Sequence, residues 1–139
     1  MSNRKKKQAG FTLVEVMVTM VIIGMLATIV VINVLPMMSK AKGEKARIDI
    51  SRLGQAIEYY NLDTNTYPEN LEDLLNAQSG SDARARPEGY IDVLPDDPWG
   101  NPYLYAYPGE NGRYDIWSYG ADGEEGGEGN DADITSWQT

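Results

Sequence analysis

One carboxylate, Glu15, lies within an otherwise uncharged stretch near the N-terminus. It follows Phe-Thr-Leu-Val at residues 11–14, and the 23 residues 16–38 carry no charge. An ionised acid at the centre of a bilayer costs about 2.5–3.5 kcal/mol on insertion scales, so such a group usually has a partner or a function. Position alone leaves two interpretations open, a functional carboxylate or a side chain that reaches water at the membrane interface.

A second concentration of potential ligands lies in the glycine-rich segment 119–134. Six carboxylates and five glycines are interspersed along it. Aspartate side chains, together with carbonyls exposed at glycine turns, supply the oxygen ligands that calcium binds, about six to eight at a time. The spacing does not match an EF-hand loop. From spacing alone, a calcium site and a solvated acidic loop are equally favoured.

The composition excludes several classes of function. The 139 residues contain neither cysteine nor histidine, which rules out disulfides, thiolate ligands, cysteine nucleophiles and histidine bases. Twelve basic and 21 acidic residues give a net charge of -9, which argues against binding to nucleic-acid phosphates. The sequence has no phosphate-binding loop of the P-loop type. The length allows one ordinary domain, or a smaller domain with an anchoring segment.

The uncharged run is long enough to cross a membrane. A helix of 23 residues spans roughly 35 Å, and a hydrocarbon core is about 30 Å thick. A cleaved secretory signal fits less well, because its apolar part has about 7–15 residues and precedes a small-residue cleavage site. Residues 4–7 are all basic, whereas residues 96–139 hold ten carboxylates and one arginine. We therefore predict an anchor with its basic end in the cytoplasm and the acidic remainder outside.

Beyond the anchor, apolar residues recur at helical spacing along one stripe. The stripe consists of Ala46, Ile50, Leu53, Ile57 and Tyr60. We predict that the helix bends at Pro36 and Gly43, ends near Leu62 and holds a globular part onto the membrane stem.

The remaining sequence predicts small elements. Residues 70–75 favour a short helix, and residues 77–89 an exposed loop. Three strands are expected at residues 90–94, 103–107 and 114–118, separated by turns rich in Pro, Gly and Asp. An antiparallel sheet whose aromatic side chains pack on the helical stripe gives an α+β fold.

The string KKKQAGFTLVE at residues 5–15 resembles the prepilin-peptidase signal of type IV pilins and pseudopilins. That signal has a basic leader, a glycine, a phenylalanine, and a glutamate as the fifth residue after the cut. The resemblance implies that residues 1–10 are a leader, that prepilin peptidase cuts between Gly10 and Phe11, and that Phe11 becomes N-methylated.

The same resemblance implies the organisation of the mature chain. Residues 11–38 would form a transmembrane helix that becomes the filament core, and residues 39–139 a periplasmic globular domain. In a filament, Glu15 would pair with the terminal amine of a neighbouring subunit, which neutralises both charges in a low-dielectric setting.

A further string, DPWGNPY at residues 97–103, resembles the signature of the major pseudopilins of type II secretion systems, as do Gly-Tyr-Ile at 89–91 and Tyr67-Pro68. The resemblance implies a pilin-like fold and a structural subunit that is not an enzyme. Such a subunit polymerises from the inner membrane into a periplasmic filament that drives folded proteins across the outer membrane. The implied partners are further copies of the chain, minor pseudopilins, the inner-membrane assembly platform and its cytoplasmic ATPase.

This resemblance also implies one bound calcium ion in the C-terminal loop. The matching side chains are Asp122 and Asp133, with Asp131 as a third candidate and the carbonyls of Tyr119 and Glu124 as further ones. Two features depart from the family pattern. Ile32 stands about where these proteins usually carry a helix proline, and the final loop is longer and richer in glycine than in some members.

Two other functions stay open on sequence grounds. A type IV pilin of an adhesive or motility fibre shares the leader, but the DPWGNPY string and the lack of a cysteine pair disfavour it. A membrane-anchored cell-envelope enzyme would need two carboxylates that face a cleft, because no histidine or cysteine is available.

Overall fold

The computed structural model describes residues 10–75 and 83–138, in a chain that divides into two compact units, Met1–Met37 and Met38–Thr139. Of the predicted leader, only Gly10 belongs to the described residues. The predicted exposed loop at 77–89 is described only from residue 83 onward.

One long helix, α1, runs from Leu13 to Thr64 over 52 residues. It begins at a Thr-x-x-Glu sequence, in which the Glu15 amide donates to the hydroxyl of Thr12 at 3.2 Å and satisfies a free N–H of the first turn. It ends where Asn65 takes the left-handed conformation, with φ 60°. The predicted C-terminal end of the helix is therefore confirmed to within a turn.

The first unit contains the apolar half of α1. Residues 13–38 are all exposed, and an 18-residue window of the helix has a mean hydropathy of 2.6 with none of it buried. The helix is thus long and apolar enough to cross a membrane. The expected bend points, Pro36 and Gly43, both lie inside α1, which is helical without interruption from Leu13 to Thr64.

In the second unit, the predicted helical stripe forms the core, and all five of its members are buried. Apolar side chains from three short elements and from Tyr103 complete this core, and they are Leu71, Leu74, Tyr103, Ile116 and Ile134. The short helix expected at 70–75 is a 3₁₀ turn, Leu71–Leu74. A buried carboxylate on α1, Asp49, accepts hydrogen bonds from Lys45 Nζ at 2.7 Å and from the Tyr103 hydroxyl at 2.9 Å.

The sheet has three antiparallel strands in sequential order, β1 (Leu104–Ala106), β2 (Asp115–Ser118) and β3 (Ile134–Thr135). Trp117 pairs with Leu104 on one side and with Thr135 on the other. Because side chains alternate along a strand, Ile116 faces the core while Asp115 and Trp117 lie on the opposite face.

One predicted strand is wrong and one strand was missed. Residues 90–94 form no strand, because the amides of Tyr90 and Ile91 donate to the Leu74 carbonyl, at 2.7 and 3.2 Å. Both bonds join residues 90–91 to the last residue of the 3₁₀ turn, and neither belongs to the hydrogen-bond ladder of a sheet. The third strand instead is β3, near the C-terminus, and it closes the acidic segment 119–134 between two paired strands. Its two residues are too few to show a period of two.

Candidate functional site

The N-terminal site consists of Phe11 and Glu15. Phe11 is 82% exposed, and Glu15 lies in the first turn of α1, where a negative charge is favoured by the helix dipole. The Thr19 hydroxyl donates to the backbone carbonyl of Glu15 at 2.8 Å, and this bond does not involve the side-chain carboxylate. Among residues 10–75 and 83–138, that carboxylate has no hydrogen bond or ion pair. It is therefore available to a partner from outside the described residues.

The acidic segment is closed by its own carboxylates. Asp122 Oδ1 accepts the amide of Glu124 at 3.1 Å, and Asp133 Oδ2 accepts the amide of Gly126 at 3.0 Å. The second oxygen of Asp133, Oδ1, is buried and has no hydrogen-bond partner. Asp133 thus spans the segment and keeps one oxygen free for a ligand.

Two glycines are required where this segment packs on itself. A Cβ at Gly120, where φ is 78°, would stand 2.8 Å from the Ala132 carbonyl oxygen. A Cβ at Gly127, where φ is 91°, would stand 2.7 Å from the carbonyl oxygen of Asp131. These close backbone approaches explain part of the glycine content that the sequence displays, because only glycine adopts such angles without strain.

The predicted ligands are not gathered into one cluster. Within the described ranges, no three acidic side chains come together in an arrangement that could bind a metal. Asp122, Asp131 and Glu124 are exposed, whereas Tyr119 and Asp133 are half-buried. A calcium ion in this segment would therefore need backbone carbonyls as ligands in addition to these side chains.

Sequence analysis missed the residue that positions the acidic segment, the buried Asp97 of the DPWGNPY string. Its Oδ1 accepts the amides of Trp99 and Asn101, at 3.1 and 2.8 Å, and so shapes the turn. Its Oδ2 accepts the Ser118 hydroxyl at 2.6 Å, and Ser118 in turn accepts the Gly120 amide at 3.2 Å. This chain of bonds ties the turn to the last residue of β2 and the start of the acidic segment.

A second link joins the same turn to the other end of the segment. The side-chain oxygen of Asn130 accepts the indole N–H of Trp99 at 3.2 Å and the hydroxyl of Ser39 at 2.9 Å. Ser39 belongs to α1, so Asn130 connects helix, turn and acidic segment at one atom. An Asp followed by Pro and Gly was the available signal for a turn, but nothing in the sequence indicates these distant partners.

An ion pair fixes the segment that follows residue 83. Arg86 Nε lies 2.7 Å from Asp63 Oδ2, which also accepts the Tyr90 hydroxyl at 2.9 Å. The hydrogen bond from Tyr90 and the neighbouring Arg86 lower the pKa of Asp63. This contact attaches the segment to the C-terminal end of α1.

A helix that continues from an exposed apolar half into the core of a small antiparallel sheet defines the class of pilin-like subunits. Comparisons with known proteins agree. A family model described as prokaryotic N-terminal methylation motif matches residues 5–31, and one described as type II secretion system (T2SS), protein G matches residues 33–137. The chain belongs to the type II secretion system protein G family.

Individual relatives support this assignment over nearly the whole chain. Type II secretion system core protein G of Vibrio cholerae is 48% identical over 96% of this chain and 94% of its own length. The protein of that name from Pseudomonas aeruginosa is 44% identical over 96% of this chain and 98% of its own. The solved major pseudopilin from enterohaemorrhagic Escherichia coli is 34% identical, has a TM-score of 0.63 and covers 76% of this chain and 94% of that one. These matches favour a pseudopilin over a type IV pilin.

Proposed function

We propose that this chain is the major structural subunit of a type II secretion pseudopilus. It is stored in the inner membrane by its apolar helix, with residues 39–139 in the periplasm, and polymerises into a filament that moves folded proteins outward. The observation that carries the proposal is the apolar half of α1, whose side chains at residues 13–38 are all exposed. Such a surface needs lipid before assembly and the helices of other copies afterwards.

The match of residues 5–31 to the N-terminal methylation motif supports processing at the leader. Cleavage between Gly10 and Phe11 by prepilin peptidase, followed by methylation of Phe11, leaves the helix in place and creates a cationic amine at its start. Mass measurement of the mature N-terminus tests this step. A methylated phenylalanine is expected, and a mature chain that begins elsewhere contradicts it.

Glu15 is the assembly residue in this proposal. Its carboxylate makes no bond with the described residues, and Glu15 lies four residues after Phe11, in the first turn of α1. An unpaired charge in lipid is costly, so the carboxylate of an incoming subunit and the terminal amine of its neighbour each stabilise the other. One register of two neighbouring helices satisfies both charges, which aligns the subunits as well as attracting them.

The variants Glu15→Ala and Glu15→Gln test this role. Both should reach the membrane fraction at wild-type levels, because removing a charge favours insertion. Both should fail to form filaments that can be sheared from cells and counted by electron microscopy. Glu44→Ala is the matched control, since Glu44 is an exposed acid further along α1 and should assemble normally. Filaments of Glu15→Ala at wild-type number and length would refute the role.

We also propose that the acidic segment binds one calcium ion. The donors fit calcium in kind, because Asp133 offers a buried oxygen without a partner and Asp122 an exposed carboxylate. Asp131 and the carbonyls of Tyr119 and Glu124 are the remaining candidates. The ion would supply the closure that a disulfide provides in other small domains, since the chain has no cysteine.

Chelation tests the calcium proposal. At a calcium concentration of 100 times Kd, a bound ion adds about 2.7 kcal/mol to the free energy of unfolding. Its removal should therefore lower the melting temperature and expose the segment to proteases, and added calcium should reverse both effects. Asp122→Asn should abolish the response, whereas Glu128→Gln, an exposed acid outside the candidate set, should keep it. A wild-type chain that is insensitive to chelation contradicts the proposal.

The partners follow from this function. The filament needs further copies of the chain and minor pseudopilins, an assembly platform in the inner membrane, and a cytoplasmic ATPase as the energy source. The sequence has no phosphate-binding loop of its own. We expect the membrane-bound chain to co-purify with the platform proteins. Deletion of the ATPase should leave this co-purification intact but prevent filament formation.

A further inference from the structure

A basic cluster lies on α1 directly after the apolar run. It consists of Lys40, Lys42, Lys45 and Arg47, and the stretch that holds them contains one acid, Glu44, so its net charge is +3. The whole chain, by contrast, has a net charge of -9. Basic residues usually stay on the cytoplasmic side of a membrane anchor, so this cluster is unexpected at the periplasmic end.

Two members of the basic cluster are unpaired. Lys45 and Arg47 each pair with an acid of the same helix, at nitrogen–oxygen distances of 2.7 and 4.0 Å. The side chains of Lys40 and Lys42 make no ion pair or hydrogen bond with residues 10–75 and 83–138. Lys40 is exposed and Lys42 is half-buried. Their ammonium groups are therefore available to a partner from outside the described residues.

The two free lysines lie at the level where headgroups begin along the helix. The uncharged run ends at Met38, and Lys40 and Lys42 follow about 3 and 6 Å further along the helix axis. The headgroup layer adds about 5–8 Å on each side of a hydrocarbon core. Steps of about 100° per residue place the two lysines about 200° apart around the helix. A single protein surface contacts one side of a helix, whereas headgroups surround a helix that crosses them.

The acidic segment 119–134 makes a cation at this level necessary. The Ser39 hydroxyl donates to the side-chain oxygen of Asn130 at 2.9 Å, so the segment reaches the helix one residue before Lys40. Its six carboxylates would repel an anionic surface, because charges interact over about 8 Å at physiological ionic strength. Since Lys40 and Lys42 are not paired with these carboxylates, they can offset the repulsion by binding the surface itself.

We propose that Lys40 and Lys42 bind the phosphate groups of anionic phospholipids at the periplasmic surface of the inner membrane. The inference rests on the membrane storage proposed above, because it needs the apolar half of α1 in the bilayer. Each ammonium group donates to phosphate oxygens, while its aliphatic stem lies along the helix. A basic side chain near an anionic surface strengthens binding about fivefold, or about 1 kcal/mol. The contact is thus weak enough to break when a subunit leaves the membrane for the filament.

The lipid preference of the full chain in vesicles tests the site. The vesicles contain equal parts of phosphatidylcholine and phosphatidylglycerol, and each of these lipids serves in turn as a spin-labelled probe. The fraction of probe with restricted motion in electron paramagnetic resonance spectra measures its association with the protein. The two lysines contact only part of the lipid shell, so their fivefold effects should appear as a preference for phosphatidylglycerol of about twofold or more. High salt should reduce this preference by screening.

Three variants separate the charge of the lysines from their packing. Lys40→Gln combined with Lys42→Gln keeps both stems and should lose the preference. Lys40→Arg combined with Lys42→Arg keeps both charges and should retain it. Arg52→Gln is the matched control and should behave as wild type, because Arg52 is an exposed basic side chain about 21 Å beyond Met38 along the same helix. Residues 4–7 are the same in every variant, so their contribution cancels.

An unchanged preference in the double glutamine variant, or an equal loss in Arg52→Gln, overturns the proposal. So does a loss of filaments in the double glutamine variant with an unchanged lipid preference, since that result assigns the lysines to a neighbouring copy. A wash of the vesicles with alkaline carbonate separates this proposal from membrane storage. A chain that the wash removes contradicts both proposals, whereas a chain that stays inserted without a lysine-dependent preference contradicts only the lipid site.

Discussion

The interactions of Asp97 predict that Asp97→Ala severely destabilises the periplasmic domain. Asp97 is 5% exposed and accepts three hydrogen bonds, from the Trp99 and Asn101 amides and from the Ser118 hydroxyl. Hydrogen bonds to a charged acceptor contribute about 1.5–3 kcal/mol each, and these three share one carboxylate, so their losses do not add. We expect a loss of about 3–5 kcal/mol, since Ser118, which is 1% exposed, keeps no acceptor.

Urea unfolding of the full chain in detergent, followed by near-ultraviolet circular dichroism of the tryptophans, measures this loss. For a domain of this size, each kcal/mol corresponds to about 4–8 °C, so the melting temperature in a separate thermal scan should fall by roughly 12 °C or more. Asp97→Asn should cost less, because its remaining oxygen still accepts the two amides that form the turn. Asp92→Asn is the matched exposed control and should stay within about 0.5 kcal/mol of wild type.

A double-mutant cycle separates the contact with β2 from the effect on the turn. Asp97→Asn and Ser118→Ala each remove one partner of the 2.6 Å bond, so together they should cost less than the sum of the single changes. The expected coupling is about 0.5–3 kcal/mol. Additive losses, or a loss in Asp97→Ala no larger than in Asp92→Asn, would show that this carboxylate does not connect turn and strand as inferred.

Three further changes have calculable outcomes. Asn130→Ala removes the acceptor of Trp99 and Ser39 and should cost about 1–2 kcal/mol in urea unfolding, with faster hydrogen exchange at the indole N–H; unchanged exchange argues against the link. Ile57→Ala, at a fully buried position, should cost about 2–5 kcal/mol in the same assay, whereas Leu62→Ala, 76% exposed, should cost little. Burial raises the pKa of Tyr114 to about 12, while the pKa of tyrosine in an unfolded chain is about 10. The unfolded state therefore loses this proton first, so stability is complete below about pH 10 and falls as pH rises toward the folded pKa. Tyrosinate absorbance and circular dichroism should change together there, and full ionisation without unfolding would contradict the burial.

The elements that follow a simple sequence period could be predicted before the structure was known. A long uncharged run predicted the apolar half of α1, and steps of three and four predicted its buried stripe, because one long helix repeats the same signal many times. The leader and the DPWGNPY string indicated the family that the comparisons then established. The proposed roles of Phe11, Glu15 and the calcium ligands stay predictions, since they depend on molecules other than this chain.

The arrangement of the short elements depends on tertiary contacts that no local pattern indicates. The Leu74 carbonyl accepts two amides that residues 90–94 were expected to use in a strand, and two residues at 134–135 form the third strand instead. The partners of Asp97 and Asn130 lie far away in the sequence, so no spacing rule relates them. Buried oxygens without a hydrogen-bond partner, on Asp115 and Thr135, likewise arise only on packing, because burial is a property of the packed chain and of no residue alone.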